Sequence, residues 1–176
     1  MTKNNKKGFT IIEVVLVLAI AGLIFLMVFI ALPALQRSQR NTRRRQDMAR
    51  ILSAFNDYSS NNNGKMPTPT VDTVSSDDGS DELSTFMTRY VGAKGSDQRL
   101  DPDGSPYKIV YKGDATGTGD YYGTTAPDPL FNHVIYYHTN AACDTAEGKV
   151  KKGNGTREIA IFYYLEGGAI YCGDNS

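Results

Sequence analysis

Between Val14 and Leu35 the chain runs for 22 residues without a charged side chain, and this stretch constrains the fold more than any other. As a helix it would rise about 1.5 Å per residue and reach roughly 33 Å, the thickness of a bilayer core. A membrane helix is the expectation that follows. Three lysines, Lys3, Lys6 and Lys7, stand before it. A secretory signal begins in the same way, but it has a shorter apolar core with a small-residue cleavage site behind it. Here Gly8 lies in front of the apolar run, so a cut after Gly8 removes only a basic leader and leaves the helix at the new N-terminus. Glu13 is the one acid near the helix start. A buried carboxylate costs ~2.5–3.5 kcal/mol at the bilayer centre, so it should have a partner. No basic side chain lies within reach along the same helix. The remaining candidate is the α-amine freed at Phe9, on a neighbouring copy shifted along the axis, and such a pair would specify register between subunits.

The basic leader, Gly8, Phe9-Thr10-Ile11-Ile12-Glu13 and the apolar helix together resemble the N-terminus of a type IV prepilin. Glu13 is the fifth residue after the cut, as in that family. The resemblance implies a prepilin peptidase that cleaves after Gly8 and N-methylates Phe9. It also implies residence in the cytoplasmic membrane before assembly, a pilus assembly platform, and an extracellular homopolymer of pilin subunits held by parallel apolar helices.

The chain has 176 residues. With a leader (1–8) and a long helix (9–60) set aside, residues 61–176 suffice for one small domain. Residues 1–60 carry nine Lys or Arg against three Asp or Glu, whereas residues 61–176 carry ten against sixteen. A basic stalk with an acidic head argues against a nucleic-acid module, which would cluster positive charge. Cys143 and Cys172 both fall in the head of an exported chain, which favours a disulfide over a metal pair.

The helix is expected to be apolar to about residue 35, with Gly22 and Pro33 as its weak points. Pilin helices often lose helicity near such residues when packed in filaments, and Pro33 lies a few residues later than is usual in the family. Beyond it come Arg37, Arg40, Arg43, Arg44 and Arg45, then Met48, Ile51, Leu52, Phe55 and Tyr58 at helical spacing. At 100° per residue Arg37, Arg40 and Arg44 share an azimuth with Met48, Ile51 and Phe55, so one face changes from basic to apolar. The head should cover only the distal half, leaving the arginines for anionic lipid or acidic neighbouring heads, or as a solvated collar. Five arginines beyond the apolar run would, by themselves, favour the opposite membrane topology; the leader and its cleavage site override that count. Asn61-Asn62-Asn63-Gly64 and the prolines at 67 and 69 end the helix.

In the head, a short amphipathic helix is predicted at about 81–90, with Leu83, Phe86, Met87 and Tyr90 on one face. Strands are predicted at about 107–112, 133–138, 158–165 and 169–172, the last two joined as a hairpin through Glu166-Gly167-Gly168. The apolar series Ile159, Ile161, Tyr163 and Leu165 can pack on Met48, Ile51, Leu52 and Phe55. The fold class is therefore α+β, a helical spine against a small antiparallel sheet. The lysine-bearing segment enclosed by the cysteines reads as an exposed loop, which in pilins is the variable cysteine-bounded region.

No catalytic constellation is visible, and a structural subunit rather than an enzyme is the expectation. His133 and His138 read as residues of one strand or its end, with no metal-ligand spacing around them. Asp114 and Asp120, in a Gly-rich loop that matches no EF-hand, are weak candidates for calcium, as are Asp77, Asp78, Asp81 and Glu82; no cofactor is expected. Two functions remain. One is a pilin of a surface filament serving adhesion, twitching motility or DNA uptake. The other is a pseudopilin of a secretion or competence system, toward which the Asp101-Pro102-Asp103-Gly104-Ser105-Pro106-Tyr107 segment leans by resemblance.

Overall fold

One helix, α1 (Ile11–Asn61), carries the first third of the chain and runs unbroken through Gly22 and Pro33. Pro33 removes one intrahelical donor, but the alanines and leucines on either side of it hold the helix. Neither position interrupts the helix of the isolated chain. The computed structural model describes residues 8–69, 82–92, 100–115, 133–144 and 149–176. The leader before Gly8, Asp77, Asp78, Asp81 and Asp120 lie outside these residues. The chain divides into two compact units, residues 1–39 and 40–176.

In the N-terminal unit the large apolar side chains from Phe9 to Leu35 are exposed. Its helix is long and apolar enough to cross a membrane.

The C-terminal unit begins within α1, whose buried positions are Arg44, Met48, Ile51, Ala54, Phe55, Tyr58 and Ser59. The helix stops through turn chemistry, as expected. Asn63 and Gly64 take left-handed φ angles of 56° and 80°, and the Gly64 N–H returns to the Ser59 carbonyl at 2.8 Å. Next come α2 (Glu82–Phe86) and a π-helical turn, Met87–Val91. Leu83, Phe86 and Met87 are buried there and Tyr90 is half-buried, which is the predicted face.

Among the described residues six strands follow: β1 (Lys108–Asp114), β2 (Val134–Thr139), β3 (Ala141–Asp144), β4 (Lys149–Lys152), β5 (Ile159–Tyr164) and β6 (Ile170–Asp174). The main sheet has the order β1-β2-β5-β6. Two of its pairings are antiparallel, including the β5–β6 hairpin, but β1 and β2 run parallel. That is a departure from the purely antiparallel expectation. Alternation along a strand reveals its faces and not its partner, and the long segment between β1 and β2 satisfies the crossover that a parallel pair needs.

The strands at the centre of the sheet are buried on both faces. Ile109, Tyr111, Ile135, Tyr137, Ile159, Ile161 and Tyr163 pack with Met48, Ile51, Phe55 and Phe86 in one cluster. Phe55 lies 4.2 Å from Phe86 and 4.8 Å from Tyr137, ring centre to ring centre. On the opposite face Val110, Val134, Tyr136, Ala160 and Phe162 pack with Ala141 and Val150 of a two-stranded ribbon, β3–β4. This ribbon replaces the expected lysine-rich loop. Three lysines in a four-residue strand read as solvated, yet the alternation buries Val150 while Lys151 and Lys152 stay exposed. A disulfide joins Cys143 on β3 to Cys172 on β6 and so ties the ribbon to the sheet edge.

Candidate functional site

The N-terminal candidate site is built at the first turn of α1. Gly8, Phe9 and Thr10 lie outside the helix and are exposed, Phe9 to 90%. Thr10 is the N-cap. Its Oγ1 accepts the Glu13 N–H at 3.4 Å, while Glu13 Oε2 accepts the Thr10 N–H at 3.3 Å and its hydroxyl at 3.2 Å. The Thr10 carbonyl takes the first helical bond, from Val14 N–H at 3.3 Å. Together these bonds form a reciprocal capping box, which satisfies two of the donors every helix start leaves orphaned. Glu13 therefore has a partner in its own chain. That partner is a hydroxyl three residues back and not a cation, and the Thr-x-x-Glu spacing is its signal in the sequence.

The second candidate site is an ionic cluster in the C-terminal unit. The Arg44 guanidinium, only 4% exposed, grips Asp101 through Nε at 2.6 Å and Nη2 at 2.7 Å, and donates from Nη1 to Glu166 Oε1 at 2.6 Å. Arg40 holds Glu166 with two bonds, at 2.7 and 2.6 Å. Asn41 exchanges side-chain hydrogen bonds of 3.0 Å with the Glu166 backbone, one in each direction. Tyr163 donates to Asp101 at 3.0 Å, and Tyr107 donates to Asp47 at 3.2 Å. The β5–β6 turn and the Asp101–Gly104 turn are thus both clamped to the segment of α1 from Arg40 to Asp47.

The arginines at 40 and 44 were expected to stay uncovered, and this is a correction. Their azimuth shared with Met48, Ile51 and Phe55 was the available signal, since an arginine on a buried stripe needs carboxylates to meet it. Arg37, Arg43 and Arg45 do remain exposed.

Electrostatics follow the geometry. The hydrogen bond from Arg40, outweighing desolvation and reinforced by Arg44, holds Glu166 down to about 2. Burial opposes ionisation of Asp101, but hydrogen bonds from Arg44, the Asp103 N–H and Tyr163, with the Arg44 charge, keep it below the ordinary carboxylate value. Hydrogen bonding to Asp101 pushes Arg44 up. Burial raises the Tyr107 and Tyr163 phenols, so both remain neutral donors.

His133 precedes β2 instead of lying in it, with a left-handed φ of 74°. Its Nε2 is 3.0 Å from Asp103 Oδ2 and its Nδ1 is 3.6 Å from Asp101 Oδ1. Asp101, Asp103 and His133 are close enough to share a metal ion, but Asp101 is already neutralised by Arg44. Asp114 accepts hydrogen bonds from the Tyr111 and Thr139 hydroxyls, and its proposed calcium partner Asp120 is outside the described residues. His138 does lie in a strand, buried, with Nδ1 3.1 Å from the Gly113 carbonyl.

Residues 3–29 match the family model described as the prokaryotic N-terminal methylation motif, the type IV prepilin signature. The chain therefore carries a prepilin-type N-terminus. With the long apolar helix and the α+β unit, this N-terminal match supports a type IV pilin-like or pseudopilin-like protein. No curated protein and no solved structure matches the chain significantly.

Proposed function

We propose that this chain is the precursor of a pilin that polymerises into a type IV pilus on the cell surface. A prepilin peptidase cuts after Gly8 and methylates the new Phe9 amine, the apolar part of α1 holds the subunit in the cytoplasmic membrane, and an assembly platform stacks the helices of successive copies. The observation that carries this reading is the coincidence of the methylation motif with a helix whose apolar residues are exposed from Phe9 to Leu35. Such a surface needs lipid first and other helices afterwards. The charge of Glu13 then meets the Phe9 amine of a neighbouring copy. Adhesion, twitching motility and DNA uptake are the services such a filament performs.

Pseudopilin function is the second reading, favoured by the Asp101–Tyr107 segment, which here forms the turn that clamps Arg44. One preparation tests both. Filaments sheared from cells, imaged by negative stain and analysed by mass spectrometry, should contain this chain beginning at N-methyl-Phe9. Subunits that begin at Met1 would overturn the processing step. Abundant surface filaments support the pilin reading, and their absence from cells in which the processed chain accumulates supports the pseudopilin.

A further inference from the structure

We propose that Thr10 is a positioning residue for processing: its capping box with Glu13 sets the first helical residue at Ile11 and so keeps the Gly8–Phe9 bond in non-helical chain. The inference rests on the reading that the chain is cut after Gly8. Cleavage is a hydrolysis in which water adds to the Gly8 carbonyl, the C–N bond breaks, and Phe9 leaves as a free amine. A peptidase must reach that carbonyl from the side. Within a helix the Gly8 carbonyl would instead accept the Ile12 N–H and be walled in by the next turn.

The alternative start is close at hand. Gly8 is itself an acceptable N-cap, and with Gly8 in that role its carbonyl takes the first intrahelical bond and the scissile peptide becomes the first of the helix. The residues between, Phe9 and position 10, would not oppose this if position 10 were a strong helix former. What opposes it in this chain is the pair of reciprocal bonds between Thr10 and Glu13, with Val14 bonded to the Thr10 carbonyl. Phe9 is almost fully exposed, so little packing of its own side chain holds the boundary among the described residues. Glu13 consequently has two separable features, an acceptor that caps the helix and a charge.

The test uses the full-length precursor reconstituted in liposomes with a purified prepilin peptidase, and the initial rate of Gly8–Phe9 cleavage is read by mass spectrometry. Removing an N-cap hydroxyl weakens the helix boundary enough to predict roughly fivefold slower cleavage for Thr10→Ala. Thr10→Ser, which keeps the hydroxyl, should cleave at the wild-type rate, as should Glu13→Gln, which keeps the acceptor. Glu13→Ala should be slowed like Thr10→Ala, and the double variant no further, because the two residues act as one unit. In micelles, backbone chemical shifts should move the helix start of Thr10→Ala to Phe9. Equal rates for wild type and Thr10→Ala, or failure of Ser to restore the rate, overturn the proposal alone. No cut after Gly8 in the wild type overturns the processing reading and the proposal with it.

Discussion

The two units of this chain treat their apolar and charged groups in opposite ways. From Phe9 to Leu35 the large apolar side chains are exposed. From Arg40 onward two apolar clusters fill both faces of the sheet, and even the buried guanidinium of Arg44 meets two carboxylates. The described part of one unit covers its own core; the other leaves its large apolar side chains exposed, for lipid or copies of itself under the function proposed above. The proposed filament subunit would need this asymmetry, because its head would stay folded in the membrane-bound and assembled states while the helix exchanged one apolar environment for another.

The largest effect expected from breaking the comparison is on the N-terminal unit. Glu13→Gln keeps the cap with Thr10 but removes the charge, so processing should persist while filament yield falls to background. Wild-type filament yield, with normal subunit levels, would mean that the charge plays no part in assembly.

Two changes attack the stability of the C-terminal unit. All 11 tyrosines lie at or beyond Tyr58, and there is no tryptophan. Tyrosine fluorescence of the detergent-solubilised chain therefore reports unfolding of this unit alone. Arg44→Met leaves the buried Asp101 carboxylate without its cation, a defect that costs about 3–5 kcal/mol. Urea midpoints should fall accordingly, and an unchanged midpoint would show that the cluster contributes nothing to stability. Next comes the Cys143–Cys172 disulfide, which closes a loop of 29 residues' separation. The chain-entropy argument assigns about 3.6 kcal/mol to it. Reduction, or Cys172→Ser, should lower the midpoint and expose the β3–β4 ribbon to proteolysis, since it leaves the ribbon held to β6 by non-covalent contacts such as the Cys143 N–H donated to Asp174. Stability unchanged on reduction would contradict this.

How far the sequence was legible also divides along the two units. The spine, the helix stop at Asn61 and the face that Ile159, Ile161 and Tyr163 offer to Phe55 all follow from local periodicity and turn residues, which are properties of contiguous sequence. The parallel β1–β2 pairing, the β3–β4 ribbon and the clamps of Arg44 on Asp101 and Glu166 are not. The clamps depend on residues 57 and 122 positions apart meeting in space, and β1 meets β2 across 26 positions, Lys108 against Val134. Strands as short as Lys149–Lys152 carry too little alternation to stand out from a solvated loop. The Thr10–Glu13 cap is the exception, a local signal overlooked because the carboxylate was assigned to a partner outside the chain.

The smallest expected effect concerns a titration buried in the C-terminal unit. Burial pushes the His138 imidazole down to about 4, opposed by its hydrogen bond to the Gly113 carbonyl and aided by the Lys112 charge. Since a carbonyl only accepts, Nδ1 carries the proton in the neutral ring. In the unfolded chain the same ring binds a proton near its ordinary 6.5. The unfolded state thus takes up the proton first as pH falls, so the stability His138 confers is full above 6.5 and drains away toward pH 4. Glu166, held at about 2 against an ordinary 4.5, loses its contribution only at lower pH. The interval from 6.5 to 4.5 is therefore where His138 can be read against Glu166. Across it the urea-derived stability of wild type should fall with a slope approaching one proton, about 1.4 kcal/mol per pH unit. His138→Gln, whose amide can still donate to Gly113, should be flatter by that one proton while keeping most of the stability at pH 5. Parallel profiles for the two proteins would mean that His138 takes up its proton equally well folded and unfolded, and that the sheet interior around it is open to solvent.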